Sequence, residues 1–197
     1  MLSLTNLLGP TYAMPATRGW AASPDFLLQL SDRVLQERPQ VVVELGSGVS
    51  TLVLAYALKH TGQGRLLSID HEEHYAQQTM EMLKKHGFDR EVRILKAPLV
   101  IQNVEGFEYK WYDLSQHEIP ENIDMLIVDG PPMRVQRHAR YPALPLLESR
   151  LSERALVIMD DGDRQDEREI VAQWCARDGS WETVEWQVEK GAVELRR

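Results

Sequence analysis

Short apolar runs alternate along this chain with stretches of helical period. Five runs rich in Val, Ile and Leu begin at residues 41, 65, 91, 124 and 155. Runs that are apolar on both faces of a strand are typical of a parallel sheet with helices packed on each side. Between these runs, apolar residues recur at helical spacing over residues 50–60, 72–86 and 164–177. The alternation predicts an α/β fold with a doubly wound sheet.

The two ends of the pattern complete the predicted domain. Ser23, Pro24 and Asp25 mark a helix start, and apolar residues at helical spacing extend this helix to about residue 37. Near the C-terminus, "TVEWQV" and "GAVELR" alternate with a period of two residues, which predicts a hairpin. We therefore expect a Rossmann-like sheet of seven strands, mostly parallel with an antiparallel C-terminal hairpin strand, in a single domain over residues 23–197.

Two segments have no regular pattern. Residues 98–123 fit neither a strand nor a long helix, so we predict a functional loop there. Trp111 and Tyr112 in this loop, together with Trp20, are open to two interpretations, an apolar lid over a bound molecule or core packing. The apolar N-terminal arm, residues 1–22, also has two interpretations, because it can cover either its own domain or a partner subunit in a homodimer.

Composition and charge narrow the classes of partner. The chain has 197 residues, 43% of them hydrophobic, and a net charge of −8, which weighs against a nucleic-acid surface. Cys175 is the only cysteine, so no intramolecular disulfide can form, and a cytoplasmic location is expected. No apolar run approaches the length that crosses a membrane. The one basic cluster, Arg134, Arg137 and Arg140, is either a solvated loop or a local site for an anion or substrate.

The turn after the first predicted strand has the glycines of a ligand-binding loop. In a doubly wound sheet, ligands bind outside the carboxyl ends of the strands. Gly46 and Gly48 in "VVVELGSGVST" let the backbone approach a ligand closely, but Thr51 stands where a dinucleotide fingerprint has its third glycine, which disfavours NAD. Asp70 ends the second strand, where a carboxylate can accept hydrogen bonds from ribose hydroxyls or cap the helix that follows.

Four motifs carry a family resemblance. In order and spacing, "VVVELGSGVST", "LLSIDHEEHY", "IDMLIVDGPP" and "ALVIMDDGDR" resemble the strand-end motifs of class I S-adenosylmethionine-dependent methyltransferases. The chain is also similar to a bacterial methyltransferase-like group of mostly undefined substrate. The resemblance implies that the glycine turn holds the methionine part of S-adenosylmethionine, Asp70 the ribose, and residues 96–98 the adenine. The cofactor-binding residues it implies are Glu44, Gly46, Ser47, Gly48, Ser50, Thr51, Asp70, His71, Ala97, Pro98 and Asp129.

Three acids at later strand ends suggest the chemistry. Asp129 follows the fourth predicted strand, and Asp160 and Asp161 end the fifth, so all three are expected at the same edge of the sheet. Carboxylate oxygens suit Mg²⁺ or another divalent metal. The three acids also match the metal ligands of catechol-type O-methyltransferases, which the chain resembles here. The alternative is that Asp160 and Asp161 cap the next helix and pair with Arg164 or with the loop of residues 134–140.

The chain differs from the catechol-type enzymes at the position of the general base. The catechol-type enzymes have a lysine three residues after the fourth-strand aspartate, and this chain has Pro132 there. Asp129 and His138 are our catalytic candidates, since a histidine can accept a proton near neutral pH.

These patterns lead to two functional hypotheses. The first is an S-adenosylmethionine-dependent methyltransferase acting on an oxygen or nitrogen of a small molecule, with or without a divalent metal. The second is a non-catalytic binding or assembly module that keeps the nucleoside site. Neither hypothesis includes nucleic acid or a membrane as partner.

Overall fold

The computed structural model describes residues 2–15 and 22–197, so Trp20 lies outside the described residues. The strands are β1 (Val41–Leu45), β2 (Arg65–Asp70), β3 (Val92–Lys96), β4 (Leu99–Val104), β5 (Phe107–Tyr112), β6 (Ile123–Val128), β7 (Leu151–Asp160), β8 (Glu182–Trp186) and β9 (Ala192–Arg196). The helices are α1 (Leu2–Leu8), α2 (Pro24–Glu37), α3 (Val49–Thr61), α4 (Glu73–His86), α5 (Ala143–Leu147) and α6 (Gln165–Asp178), with a 3₁₀ turn at Glu148–Arg150.

A seven-stranded sheet in the order β3-β2-β1-β6-β7-β9-β8 forms the centre of the fold. The pairs among β1, β2, β3, β6 and β7 are parallel, and β9 is antiparallel to both of its neighbours. All five residues of β1 are buried, as expected for a strand covered on both faces. The predicted α/β fold, with a mostly parallel sheet and a C-terminal hairpin, is confirmed.

Helices cover both faces of the sheet. On one face, α2 and α3 bury Leu27, Leu30 and Leu54 in a core that also includes Val42. On the other face, α5, α6 and the β4–β5 hairpin contribute a second core around Val43 and Trp174. Ser23 precedes α2 as expected, although its hydroxyl makes no capping hydrogen bond.

The prediction of a functional loop over residues 98–123 is wrong for residues 99–112, where β4 and β5 form an antiparallel hairpin, whereas residues 113–122 form an irregular connection to β6. Glu105 and Gly106 connect the strands, both with positive φ, as in the two-residue turns that suit a hairpin. The sequence of β5 does alternate, with Phe107, Tyr109 and Trp111 on one face and Glu108 and Lys110 on the other, although Phe107 at the end of that face is 69% exposed. The sequence of β4 begins with three consecutive apolar residues and therefore gives no clear period-two signal.

The N-terminal arm packs on its own domain where it is described. Leu4 and Leu8 of α1 are buried in the core that α2 and α3 share. A homodimer through this arm stays a prediction, and these two leucines are already used within the chain. None of the helices in the described residues is both long and apolar enough to cross a membrane.

Candidate functional site

A cavity of about 730 Å³ opens at the carboxyl edge of the sheet, within the range of about 300–1,000 Å³ usual for small-molecule sites. It lies where the strand order reverses between β1 and β6, the position expected for a ligand in this type of sheet. Most of the predicted site residues line it: Gly46, Ser47, Gly48, Ser50, Asp70, His71, Asp129, Asp160 and Asp161.

The glycine turn passes directly over the end of β6. Gly46 has a φ of +97°, and a Cβ there would lie 2.9 Å from the carbonyl oxygen of Asp129. The Gly46 amide donates to the carbonyl of Ile69 at 2.8 Å, and the Asp129 amide donates to the carbonyl of Leu45 at 2.9 Å. Only glycine fits this crossing, because a side chain would strain the backbone and push the two strand ends apart.

Glu44 and Thr51 lie beneath the turn and do not line the cavity, although the resemblance implied a direct cofactor role for both. Each is fully buried. The Thr51 hydroxyl donates to Glu44 Oε2 at 2.6 Å and accepts from the Gly48 amide at 3.0 Å. Burial raises the pKa of Glu44 to about 7. The pair therefore supports the turn from below.

Asp70 ties the end of β2 to the glycine turn. Its Oδ2 accepts from the amide of Ser47 at 2.9 Å and from the Ser47 hydroxyl at 2.6 Å. Its Oδ1 accepts from the amide of Glu72, the residue at the N-cap of α4, at 2.9 Å. The side chain thus organises the start of the helix, and it also lies in the cavity wall, so its role toward a ribose stays a prediction.

Ala97 and Pro98 are not brought to the cavity, against the expectation that they lie beside adenine. Ala97 is buried, and its amide donates to the carbonyl of Asp70 at 2.8 Å. Helix α4 lines the cavity instead, through Tyr75, Gln78, Thr79 and Met82. These residues are three or four positions apart, a spacing that places them on one face of the helix and could have predicted this wall from the sequence.

Tyr112, at the end of β5, presents a buried hydroxyl to the cavity wall. The side chain is fully buried, its oxygen has no hydrogen-bond partner, and a Cβ on Gly130 would clash with that oxygen. Burial raises the pKa of Tyr112 well above its ordinary value. Trp111 belongs to the core under the hairpin. Of the two interpretations, core packing applies to both residues, and Tyr112 in addition lines the cavity.

The three acids converge as predicted. One carboxylate oxygen from each of Asp129, Asp160 and Asp161 lies within 4.8 Å of the other two. Burial, and then the neighbouring carboxylates, raise the pKa of Asp129 well above its ordinary value and that of Asp160 to about 6.

A guanidinium already sits among these acids. Nη2 of Arg140 donates to Asp129 Oδ1 and to Asp161 Oδ2, both at 2.9 Å, and Nη1 donates to the carbonyl of Asp160 at 2.8 Å. The Arg140 side chain is only 4% exposed. Two of the three predicted metal ligands are therefore occupied by an arginine, and the donor set as it stands does not fit a divalent cation.

His138 does not reach this site, so its prediction as general base is not supported. It is absent from the cavity lining, and its Nε2 pairs with Glu169 of α6 at 2.6 Å. The three arginines of the predicted basic cluster have different surroundings. Arg137 pairs with Glu169 at the surface, Arg134 pairs with Glu72 at the cavity, and Arg140 is buried.

The sequence and the fold match known methyltransferases. A model described as a methyltransferase domain matches residues 43–162. Similar solved structures include a methyltransferase from Geobacter sulfurreducens (19% identity, 89% of this chain and 80% of that chain covered, TM-score 0.67) and an O-methyltransferase from Bacillus cereus in complex with SAH (14% identity, 99% and 89% covered, TM-score 0.68). A search of curated proteins found no match. Identities this low establish a shared fold only.

The close contact at Gly46 predicts a large loss of stability on substitution, and Gly48 provides the control variant. Gly46→Ala is expected to lower the free energy of unfolding by at least about 2 kcal/mol, because it combines a positive φ with a backbone clash. Gly48→Ala should cost no more than about 1 kcal/mol, since Gly48 has an extended φ of 167° and no atom within 4 Å of an added Cβ. Urea denaturation measures both. Equal losses would contradict the crossing as the constraint.

Proposed function

The chain belongs to the family of methyltransferase domains, and from this premise we propose that it transfers a methyl group from S-adenosylmethionine to an oxygen or nitrogen of a small molecule. The observation that carries the proposal is the cavity at the β1/β6 reversal, where the glycine turn, Asp70 and the buried acids face one space. Two similar structures were solved with SAH, which supports the same class of ligand.

The cofactor half of the cavity suits S-adenosylmethionine chemically. The N-terminus of α3 borders the cavity through Val49 and Ser50, and the positive end of its dipole favours a carboxylate, here that of the methionine part. Asp70 Oδ1 accepts one hydrogen bond, from the Glu72 amide, and keeps a lone pair for a ribose hydroxyl, whereas Oδ2 already accepts two. The hydroxyl of Tyr112 has no hydrogen-bond partner and lies buried against Gly130, in the wall of the same cavity. When bound, S-adenosylmethionine supplies a methyl group on a positively charged sulfur.

The acid half of the cavity supplies a proton acceptor. A hydroxyl or amine that gains a methyl group must lose its proton, and a residue that takes it should have a pKa near the working pH. Asp129 lines the cavity, and its side chain is 24% exposed. Because its pKa is raised by burial, Asp129 can accept a proton nearer neutral pH than an ordinary aspartate. We assign it the role of general base.

Cofactor binding tests the first half of the proposal. Titration calorimetry with S-adenosylhomocysteine is expected to show binding to the wild type and a loss of about 10- to 100-fold in affinity for Asp70→Ala, the effect of losing hydrogen bonds to a charged group. Asp89→Ala, which removes an exposed carboxylate, is the control and should bind like the wild type. Absence of binding to the wild type at millimolar ligand would refute the cofactor assignment.

The Tyr112 hydroxyl makes a more specific prediction. Tyr112→Phe removes only the unpartnered oxygen, so the free energy of unfolding should stay equal or rise, since a buried group without a hydrogen bond is costly. Affinity for S-adenosylhomocysteine or S-adenosylmethionine should fall about 5- to 10-fold if the hydroxyl bonds to the ligand, the value of one hydrogen bond. Calorimetry and urea denaturation give the two readings. Unchanged affinity for both ligands would remove Tyr112 from the cofactor site.

The role of Asp129 predicts a pH dependence. A base must be ionised, so kcat should rise with pH until Asp129 has lost its proton, and the raised pKa places this limb above the range of an ordinary aspartate, whose pKa is about 4. The measurement is SAH formation against pH, with whichever member of a panel of phenols and amines is methylated. Asp129→Asn should abolish most of the rate. An acid limb that persists in Asp129→Asn would assign the base elsewhere, and SAH binding without turnover across the panel would favour the non-catalytic hypothesis.

A further inference from the structure

Arg140 is buried among acids that come from three different parts of the chain. Its partners are Asp129 after β6, Asp160 and Asp161 at the end of β7, and Glu167 of α6, whose Oε1 lies 3.4 Å from Nη1. The loop that carries Arg140 therefore places one fixed positive charge at the centre of the acid cluster.

The guanidinium and a metal ion would compete for the same oxygens. A divalent cation binds carboxylate oxygens at about 2.0–2.6 Å. Nη2 of Arg140 already lies 2.9 Å from both Asp129 Oδ1 and Asp161 Oδ2. Asp161 Oδ2 also pairs with Nη1 of Arg164 at 2.7 Å, and Asp160 Oδ1 accepts from the Asp161 amide at 2.8 Å. One oxygen of each of the three carboxylates therefore already has a hydrogen-bond donor.

Charge strengthens the competition. A guanidinium keeps its proton at any pH at which the protein is folded, so Arg140 cannot make room by becoming neutral. Moving it away would leave buried carboxylates without a counter-charge. A divalent ion beside it would be repelled at short range in a poorly hydrated site.

We propose that Arg140 is a permanent cation in place of the divalent metal, and that it positions Asp129 for an acceptor that needs no metal chelation. This rests on the proposed function for the reaction itself. The substrate class follows from the chemistry: a metal selects neighbouring oxygens that can chelate it, whereas a carboxylate held by a guanidinium accepts the proton of a single hydroxyl or amine. Arg140 acts through Asp129 and is thus a positioning residue.

Mn²⁺ binding, measured from the free-ion electron paramagnetic resonance signal at pH 8, tests the proposal without using activity. The wild type is expected to bind no Mn²⁺ at up to millimolar concentration. Arg140→Gln should gain Mn²⁺ binding at least 10-fold tighter than the wild type, because the three carboxylates become available. The gain should disappear in the double variant Asp129→Asn/Arg140→Gln. Arg140→Lys keeps the charge and should resemble the wild type, and Arg164→Gln controls for loss of the more exposed arginine.

Two results would overturn the proposal. One is wild-type binding of Mn²⁺ below about 100 μM that Asp129→Asn removes, which needs no variant of Arg140. The other is an Arg140→Gln variant with a native circular dichroism spectrum that binds no more Mn²⁺ than the wild type. Failure of the proposed function would appear separately, as absence of S-adenosylhomocysteine binding to the wild type, and would leave the Mn²⁺ readings interpretable.

Discussion

The close backbone crossing between the ends of β1 and β6 is the constraint on which the site depends. Gly46 lies against the carbonyl of Asp129 because it has no side chain, and the strand order of the sheet reverses at this point. Everything placed around the cavity is positioned relative to that contact. Asp70 accepts a hydrogen bond from the glycine turn on one side, Tyr112 lies under Gly130, and Asp129 is the first residue after β6.

The sequence predicted the central strands of the sheet well because they are apolar on both faces. The runs at 41, 65, 124 and 155 correspond to β1, β2, β6 and β7, and the run at 91 corresponds to β3, an edge strand with Arg93 and Lys96 exposed. The β4–β5 hairpin was missed because β4 has adjacent apolar residues on opposite faces, Val100 and Ile101, so its sequence shows little contrast between the faces. The alternation of β5 over residues 107–111 was the signal that could have identified the hairpin.

The positions of the strand ends in the sequence predicted which residues lie near the site, but not whether each side chain faces the cavity. Glu44 and Gly46 are two residues apart, yet the first supports the turn from below and the second borders the cavity. Arg140 carried no distinguishing signal, because it is one of three arginines in a loop and its partners are 11 and 21 residues away in sequence. Only the folded arrangement separates the buried arginine from its solvated neighbours.

The cluster around Arg140 is a costly way to hold a protein together. Buried ion pairs lose much of their attraction to desolvation and are often no more stabilising than apolar packing.

Among the described residues, four of the eight buried polar side-chain atoms without a partner belong to Glu44, Tyr112, Arg140 and Glu167, all at or beside this cavity. Native proteins leave few such atoms, and a group of them at one place needs a physical reason. Two of these residues, Tyr112 and Arg140, line the space that a ligand would fill. Polar groups that cost stability are thus concentrated in and behind the wall of this cavity, a distribution expected of a functional site and not of a region that stabilises the fold.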